Sequence, residues 1–119
     1  MKYTILLFDT PETIARFDGP EGAHYMSQWA PFIKALTDAG IYITGAGLQP
    51  ADTATTLRFD NDKRRVQDGP YADTKEQLGG FYMIDVPDLD TALEWAARTP
   101  RLPGQVFEVR PNLVVPSGQ

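Results

Sequence analysis

Residues 3–8 place large apolar side chains at nearly every position, with Thr4 as the one clearly polar residue. A strand with one solvent-exposed face alternates apolar and polar residues, whereas a strand buried on both faces does not alternate. Residues 81–84 have the same unbroken apolar character. The sequence therefore predicts a sheet with two faces to cover, and this requirement restricts the fold more than any other feature.

A helical repeat of large apolar residues runs from Tyr25 to Leu36, which predicts a helix over residues 23–39. Pro31 interrupts this pattern, because a proline inside a helix removes a hydrogen bond and clashes with the preceding turn. Either the helix kinks near Ser27, or a short turn ends there and the main helix begins with Pro31 in its first turn.

The other predicted elements are strands at residues 41–48, 80–86 and 105–110, a helix capped by Asp88, a long loop at 9–22, a C-terminal tail at 111–119, and a hairpin of 53–60 and 63–67 joined by Asn61 and Asp62. With the hairpin as an insertion, the order is βαββαβ. This is the ferredoxin-like α+β plan, a four-stranded antiparallel sheet with both helices on one face. Because no third helix covers the second face, we predict a homodimer packed sheet to sheet, a dimeric α/β barrel.

Composition excludes several classes of function. The 119 residues predict a single domain, and the net charge of −5 disfavours a nucleic-acid partner. With no cysteine and one histidine, we expect no metal site within a protomer and no cofactor. No apolar run approaches membrane-spanning length, so we expect no membrane partner and a cytoplasmic location.

The sequence DGPYADTKEQLGG, which begins at Asp68, crowds ionisable side chains between a turn signal and a predicted strand. Irregular segments held by a rigid sheet often carry binding groups. We therefore interpret Asp68 as a candidate catalytic carboxylate, and Tyr71, Lys75 and Glu76 as candidate ligand-binding residues. Structural roles compete with this interpretation: Asp68 can begin the turn, Glu76 can complete a capping box with Asp73 for one helical turn, and Lys75 can simply be solvated.

Three more residues are candidates for the site. His24 is the only histidine, the side-chain type that most readily exchanges protons near neutral pH, so it is a second catalytic candidate, although a surface histidine at a helix start is the alternative. Alternation along the last strand directs Phe107 and Val109 toward the helices and Glu108 and Arg110 toward the partner. Those two charges form either an ion pair at the dimer seam or a clamp for an anionic ligand.

The segment 68–80, together with the sequence EVRP that begins at Glu108, resembles the YCII-related family in its DGPF-domain branch. Tyr71 stands where the name of that branch expects phenylalanine, and Asp73 stands where glutamate is usual. The resemblance implies a ferredoxin-like fold assembled as a dimeric α/β barrel, with no settled reaction. A histidine–aspartate dyad proposed for other members implies a role for His24.

Two functions are compatible with these features. The first is a small-molecule-binding protein, an enzyme in which Asp68 or His24 moves a proton in a cleft at the sheet face, while Arg110 or Lys75 stabilises an oxyanion. On topological grounds we expect Asp68, Lys75, Glu108 and Arg110 to lie together at its mouth. The second, implied by relatives found with sigma-factor-type regulators, is a non-catalytic dimeric accessory or regulatory module. An apolar cavity with convergent polar groups would favour the first function.

Overall fold

The computed structural model describes residues 1–116 and shows an α+β architecture. Its elements are β1 (Lys2–Asp9), α1 (Pro11–Ile14), α2 (Pro20–Ser27), α3 (Trp29–Asp38), β2 (Tyr42–Gly47), a 3-10 turn (Ala51–Thr53), β3 (Thr55–Asp60), β4 (Lys63–Asp68), β5 (Gln77–Asp85), α4 (Leu89–Ala96) and β6 (Val106–Pro111). The predicted tail begins inside β6, and its last three residues lie outside the described residues.

The main sheet contains four antiparallel strands in the order β2-β5-β1-β6. β3 and β4 form a separate two-stranded antiparallel sheet. The α+β class predicted from the sequence is confirmed, and the strand order of the main sheet is compatible with a ferredoxin-like fold. Within residues 1–116, no helix has the length and apolar character needed to cross a membrane.

The two faces of β1 have different environments. Tyr3, Ile5 and Leu7 are at most 4% exposed and pack in the core beneath the helices. Leu6 and Phe8 point to the opposite face and are half-buried. One chain therefore buries one face of its central strand completely, and leaves large apolar side chains on the other.

The helix predicted over residues 23–39 is divided into two. α2 ends at Ser27, and α3 begins at Trp29 with Pro31 in its first turn. The first turn of a helix has no intrahelical acceptors for its N–H groups, so a proline costs no hydrogen bond there. The second of the two sequence-based alternatives is the correct one.

The loop predicted over residues 9–22 is wrong for much of its length. Thr10 caps α1, because its Oγ1 accepts a hydrogen bond from the N–H of Thr13 at 3.3 Å, and Pro11 takes the first helical position. Pro20 takes the first position of α2. The prolines that suggested a loop mark helix starts instead.

The β3–β4 hairpin turns through Asn61 and Asp62, whose φ angles of 48° and 68° lie in the left-handed region. Its register pairs Leu57 with Val66, and Phe59 lies on the same face two residues further along β3. These three side chains are 51%, 56% and 64% exposed, respectively. The hairpin therefore carries an apolar face that one chain does not cover.

Candidate functional site

The candidate residues in the DGPYADTKEQLGG segment lie on the surface beside the hairpin. Asp68 is the last residue of β4, and Tyr71, Lys75 and Glu76 follow in an irregular segment before β5. All four are exposed, and Tyr71 is 76% exposed. Exposure of this kind is typical of solvated charges.

The turn after Asp68 is held by hydrogen bonds to the backbone of Gly69, whereas the sequence suggested that Asp68 begins the turn. Gly69 has a φ of 100°, its N–H donates to the carbonyl of Ala54 at 2.7 Å, and Thr56 Oγ1 donates to its carbonyl at 2.7 Å. The glycine is required here because other residues rarely adopt this left-handed conformation.

The predicted capping box of Asp73 and Glu76 is wrong, because residues 71–76 form no helical turn. The N–H of Glu76 donates to Thr74 Oγ1 at 3.0 Å, and Gln77 Nε2 donates to the carbonyls of Ala72 and Thr74 at 3.1 and 2.5 Å. The hydroxyl of Thr74 therefore accepts from the Glu76 N–H, the group that would donate to the Asp73 side chain in a capping box.

The other predicted site residues also lie on the surface. His24 is exposed on α2, whose buried residues include Tyr25. Glu108 and Arg110 form an ion pair on the sheet face opposite the helices, with 44% and 69% of their side chains exposed. Phe107 packs against the core, as the alternation predicted.

The four charges expected to lie together are not brought together within one chain. The segment with Lys75 enters β5 at Gln77, which pairs with Asp9 of β1. Arg110 pairs with Thr4, five residues back along the same strand. At about 3.3 Å per residue this separation is roughly 17 Å, so the two groups of charges occupy different parts of the sheet.

A cavity of about 530 Å³ lies on the helix-bearing side, between α2, α3 and the adjoining ends of β2 and β5. Trp29 is central to its aromatic wall and makes edge-to-face contacts with Tyr25 and Tyr82, with ring centroids 6.1 and 6.2 Å apart. Further apolar side chains of this wall are Phe17, Met26 and Ile33. The lining is therefore largely aromatic and aliphatic.

The opposite wall is open because it has little side-chain bulk. Residues 45–47 of β2 have the sequence Gly-Ala-Gly, and they line the cavity together with Gly79 and Gly80. Gly47 pairs with Gly80 on the helix side of the sheet, and a Cβ at Gly47 would meet no heavy atom within 4 Å. This glycine therefore borders empty space.

Asp9 is the one charged side chain among the described residues that line this cavity. Its Oδ1 accepts a hydrogen bond from Gln105 Nε2 at 2.9 Å, and the same nitrogen donates to Tyr25 Oη at 3.1 Å. Burial raises the pKa of the Asp9 carboxyl above its ordinary value, and the Gln105 hydrogen bond offsets part of that rise.

A β-bulge makes room for this carboxylate. The β1–β5 register shifts between Leu7 and Phe8, whose partners are Gly80 and Leu78, so Gly79 is the extra residue. A Cβ at Gly79 would lie 2.0 Å from Asp9 Oδ2. A glycine is therefore needed at this position for the carboxylate to lie where it does.

Sequence comparison identifies a family but no ligand. The profile of the YCII-related domain matches residues 1–114. This chain belongs to the YCII-related family. An uncharacterized protein of Rhizobium meliloti (strain 1021) is 32% identical over 121 aligned positions, which cover all of this chain and 98% of the relative. The family resemblance of the sequence is thus confirmed.

In this YCII-related protein the polar groups of the cavity were missed by sequence reasoning. Asp9 was assigned to a loop start, Tyr25 to a helical stripe and Gln105 to a strand start. One signal was present: Asp9 follows directly on a strand of large apolar residues, where a carboxylate needs a specific partner if it is buried. Its partner lies 96 positions away in sequence, so no local pattern indicates it.

A second cavity, of about 590 Å³, adjoins the first on the hairpin side of the YCII-related domain. Two of the predicted ligand-binding residues, Tyr71 and Glu76, line it. Residues 48–51 line both cavities and stand between them, as does Leu78. Among residues 1–116, no group of three or more histidine and carboxylate side chains is placed to hold a metal ion.

Proposed function

We propose that this protein binds a compact small molecule with an apolar ring in the cavity between α2, α3 and the β2–β5 ends. The observation that carries the proposal is the single carboxylate, Asp9, set in a largely apolar wall with its pKa raised by burial. A volume of about 530 Å³ lies within the usual range for small-molecule sites. Few, well-placed polar groups in an apolar pocket are the usual basis of specificity.

The charge of the site favours a neutral ligand with a hydrogen-bond donor. An anion would meet the like charge of Asp9, which costs more in a poorly solvated site than in water. The sequence-based expectation of an anionic ligand depended on Arg110 and Lys75, and neither lines this cavity. A hydroxyl or amide N–H directed at Asp9 is the complementary group.

We also propose that two chains pack their open sheet faces together as a dimeric α/β barrel, with the β3–β4 hairpin inserted into a ferredoxin-like core. Leu6 and Phe81 are paired across that face, and Thr4 pairs with Met83 beside them. Val106, on the same face at the sheet edge, is 53% exposed. An apolar sheet face of this kind supports burial against a second copy.

The binding proposal is tested by filling the cavity. Because a Cβ at Gly47 meets open space, Gly47→Leu should occupy the cavity without displacing the backbone. Binding of β-naphthol, toluene and benzoate is measured by calorimetry and by the shift in melting temperature. We expect β-naphthol to bind best, toluene less well and benzoate least, and Gly47→Leu to abolish binding.

The matched control is Gln67→Leu, which adds the same residue to the exposed hairpin, at a position that does not line the cavity. It should bind β-naphthol as the unmodified protein does. Binding that survives Gly47→Leu, or that favours benzoate, would contradict the proposal. Absence of any binding to the unmodified protein would favour the accessory-module alternative.

A further inference from the structure

Gln105 holds two oxygens of the cavity at a defined separation. Its Nε2 donates to Asp9 Oδ1 at 2.9 Å and to Tyr25 Oη at 3.1 Å, so the two acceptors lie at most 6.0 Å apart. The orientation of the amide is set by its other end, because Gln105 Oε1 accepts from the N–H of Leu102 at 3.2 Å. One side chain therefore positions both oxygens, and its own amide nitrogen and oxygen both have hydrogen-bond partners.

Asp9 and Tyr25 both line the cavity, and each side chain keeps a hydrogen-bonding function that the protein does not use. Within residues 1–116, Asp9 Oδ2 accepts no protein hydrogen bond and rests against the backbone of Gly79. Tyr25 Oη uses a lone pair to accept from Gln105, and its own proton has no acceptor among the same residues. A proton acceptor and a neutral proton donor thus stand side by side at the wall of an apolar cavity.

We propose that Asp9 and Tyr25 form an acid–base pair that interconverts the keto and enol forms of a compact, ring-bearing carbonyl compound. The inference rests on the proposed binding function, since it needs the ligand in this cavity. It names the substrate class, an enolisable ketone or aldehyde, and the reaction, a proton shift without net oxidation or reduction.

The reaction balances with these two groups alone. Asp9 Oδ2 takes the proton from the carbon next to the carbonyl, so a C–H bond breaks and an O–H bond forms. The electron pair of that C–H bond becomes the C=C bond, and the carbonyl π pair moves to oxygen, which receives the proton of Tyr25. In the reverse steps Asp9 returns its proton to the same carbon, and Tyr25 takes back the proton from the enol oxygen.

The geometry favours this class because its two reacting atoms are only two bonds apart. Gln105 Nε2 keeps Asp9 Oδ1, the other oxygen of the basic carboxylate, at most 6.0 Å from Tyr25 Oη. A base and a donor at this spacing can contact the α-carbon and the carbonyl oxygen of one molecule together. The ring of such a molecule fits against Trp29 and the aromatic residues around it. A carboxyl whose pKa is raised is also a stronger base once ionised.

Gln105 has a positioning role in this scheme, because it donates to Asp9 Oδ1 and to Tyr25 Oη and does not line the cavity itself. Gln105→Met retains the length of the side chain and removes both donated hydrogen bonds. We expect the turnover to fall while binding of a stable ring compound is kept. A purely structural role would lower both together.

The experiment uses β-tetralone as substrate probe and β-naphthol, which has the planar ring and hydroxyl of an enol, as binding probe. Proton NMR in D2O follows the loss of the protons on the carbon between the ring and the carbonyl of β-tetralone. We expect the protein to accelerate this exchange over buffer. Asp9→Asn should reduce the acceleration by about 10² to 10⁴, the usual contribution of a general base, and Tyr25→Phe by about 10².

Matched controls separate chemistry from folding. Asp38→Asn changes a carboxylate on the surface of α3, and Tyr3→Phe removes a hydroxyl in the core away from the cavity. Both should exchange β-tetralone at the unmodified rate, and all variants should bind β-naphthol within about tenfold of the unmodified protein, as isosteric changes allow. Circular dichroism checks that each variant is folded.

The outcomes distinguish the binding proposal from the acid–base proposal. Binding of both probes without accelerated exchange overturns the acid–base inference and leaves the binding function standing. Unchanged exchange in Asp9→Asn overturns it as well. Failure of β-naphthol and β-tetralone to bind the unmodified protein overturns the binding function and this inference together.

Discussion

The carboxylate of Asp9 lies so close over Gly79 that a Cβ on the glycine would stand 2.0 Å from Oδ2. Gly79 is the extra residue of the β-bulge that interrupts the pairing of β1 with β5. Bulges often redirect a side chain next to a functional site, and here the bulge leaves room for the one charged group in the cavity wall.

The first prediction is that Gly79→Ala displaces Asp9. The added methyl group cannot share space with the carboxylate, so the aspartate must leave its place or the bulge must shift. We expect a lower free energy of unfolding, measured with urea, and weaker binding of β-naphthol. The matched variant is Gly47→Ala, where the new Cβ meets open space.

Gly47→Ala should keep the stability of the unmodified protein or raise it by about 0.4–1 kcal/mol, because alanine restricts the unfolded chain. Equal destabilisation by the two alanine substitutions would show that strand glycines are needed for their backbone, and that the Asp9 contact is not the cause.

The second prediction concerns the pH dependence of stability. Burial raises the pKa of Asp9 above its ordinary value of 3.8, so the folded state binds this proton more tightly than the unfolded state does. The stabilisation from Asp9 is therefore complete below 3.8 and is lost as pH rises through the folded pKa. Asp9→Asn removes this titration.

Urea unfolding of the two proteins at matched pH values measures the effect. The free energy of unfolding of the unmodified protein, relative to Asp9→Asn, should fall as pH increases from acid toward neutral. Asp38→Asn, which alters an exposed carboxylate, should not reproduce the trend. A relative stability that rises with pH would mean that the carboxylate is stabilised in its charged form.

The third prediction concerns the buried hydrogen bond between Tyr82 and Thr99. Their hydroxyl oxygens are 2.6 Å apart, and the residues are 1% and 2% exposed. Tyr82→Phe leaves the threonine hydroxyl buried without its partner, which should cost about 1–3 kcal/mol. Removing both hydroxyls, in Tyr82→Phe with Thr99→Val, should cost less than the two single changes added together.

A double-mutant cycle by urea unfolding measures that coupling. Strict additivity of the two substitutions would contradict the hydrogen bond as a source of stability. Thr13→Val is a single change for comparison. The buried hydroxyl of Thr13 donates to the backbone carbonyl of Pro103, and no side-chain substitution can remove that acceptor.

The elements of this fold are predictable where the periodicity of the sequence is strong. β1 and β5 contain the apolar runs at residues 3–8 and 81–84. α4 is capped by Asp88, whose Oδ1 accepts from the N–H of Thr91 at 2.9 Å as a capping residue should. The division at Ser27 was predictable as one of two alternatives, because a proline is tolerated in the first turn of a helix.

The site was not predictable in the same way, because topology assembles it. Asp9, Tyr25, Gly79 and Gln105 are far apart in sequence, and each has an ordinary local explanation. The charged segment after Asp68 was predicted as a site from its ionisable side chains, its turn signal and its place before a strand, yet those side chains are exposed. Local charge density indicates solvated surface as readily as function, whereas a carboxylate at the end of an apolar strand has few favourable environments.

The last prediction tests the assembly. If two chains pack through the open sheet face, Leu6→Glu should place a charge at its centre and separate them, because a buried unpaired carboxylate is costly. Leu57→Glu is the matched control, since it puts the same charge on the apolar face of the hairpin, where Leu57 is 51% exposed.

Sedimentation of the unmodified protein should show a species near twice 13.2 kDa. Leu6→Glu should sediment as a folded monomer, while Leu57→Glu stays dimeric. A dimer that resists Leu6→Glu and is lost in Leu57→Glu would move the interface to the hairpin, and a stable monomer of the unmodified protein would refute sheet-to-sheet packing.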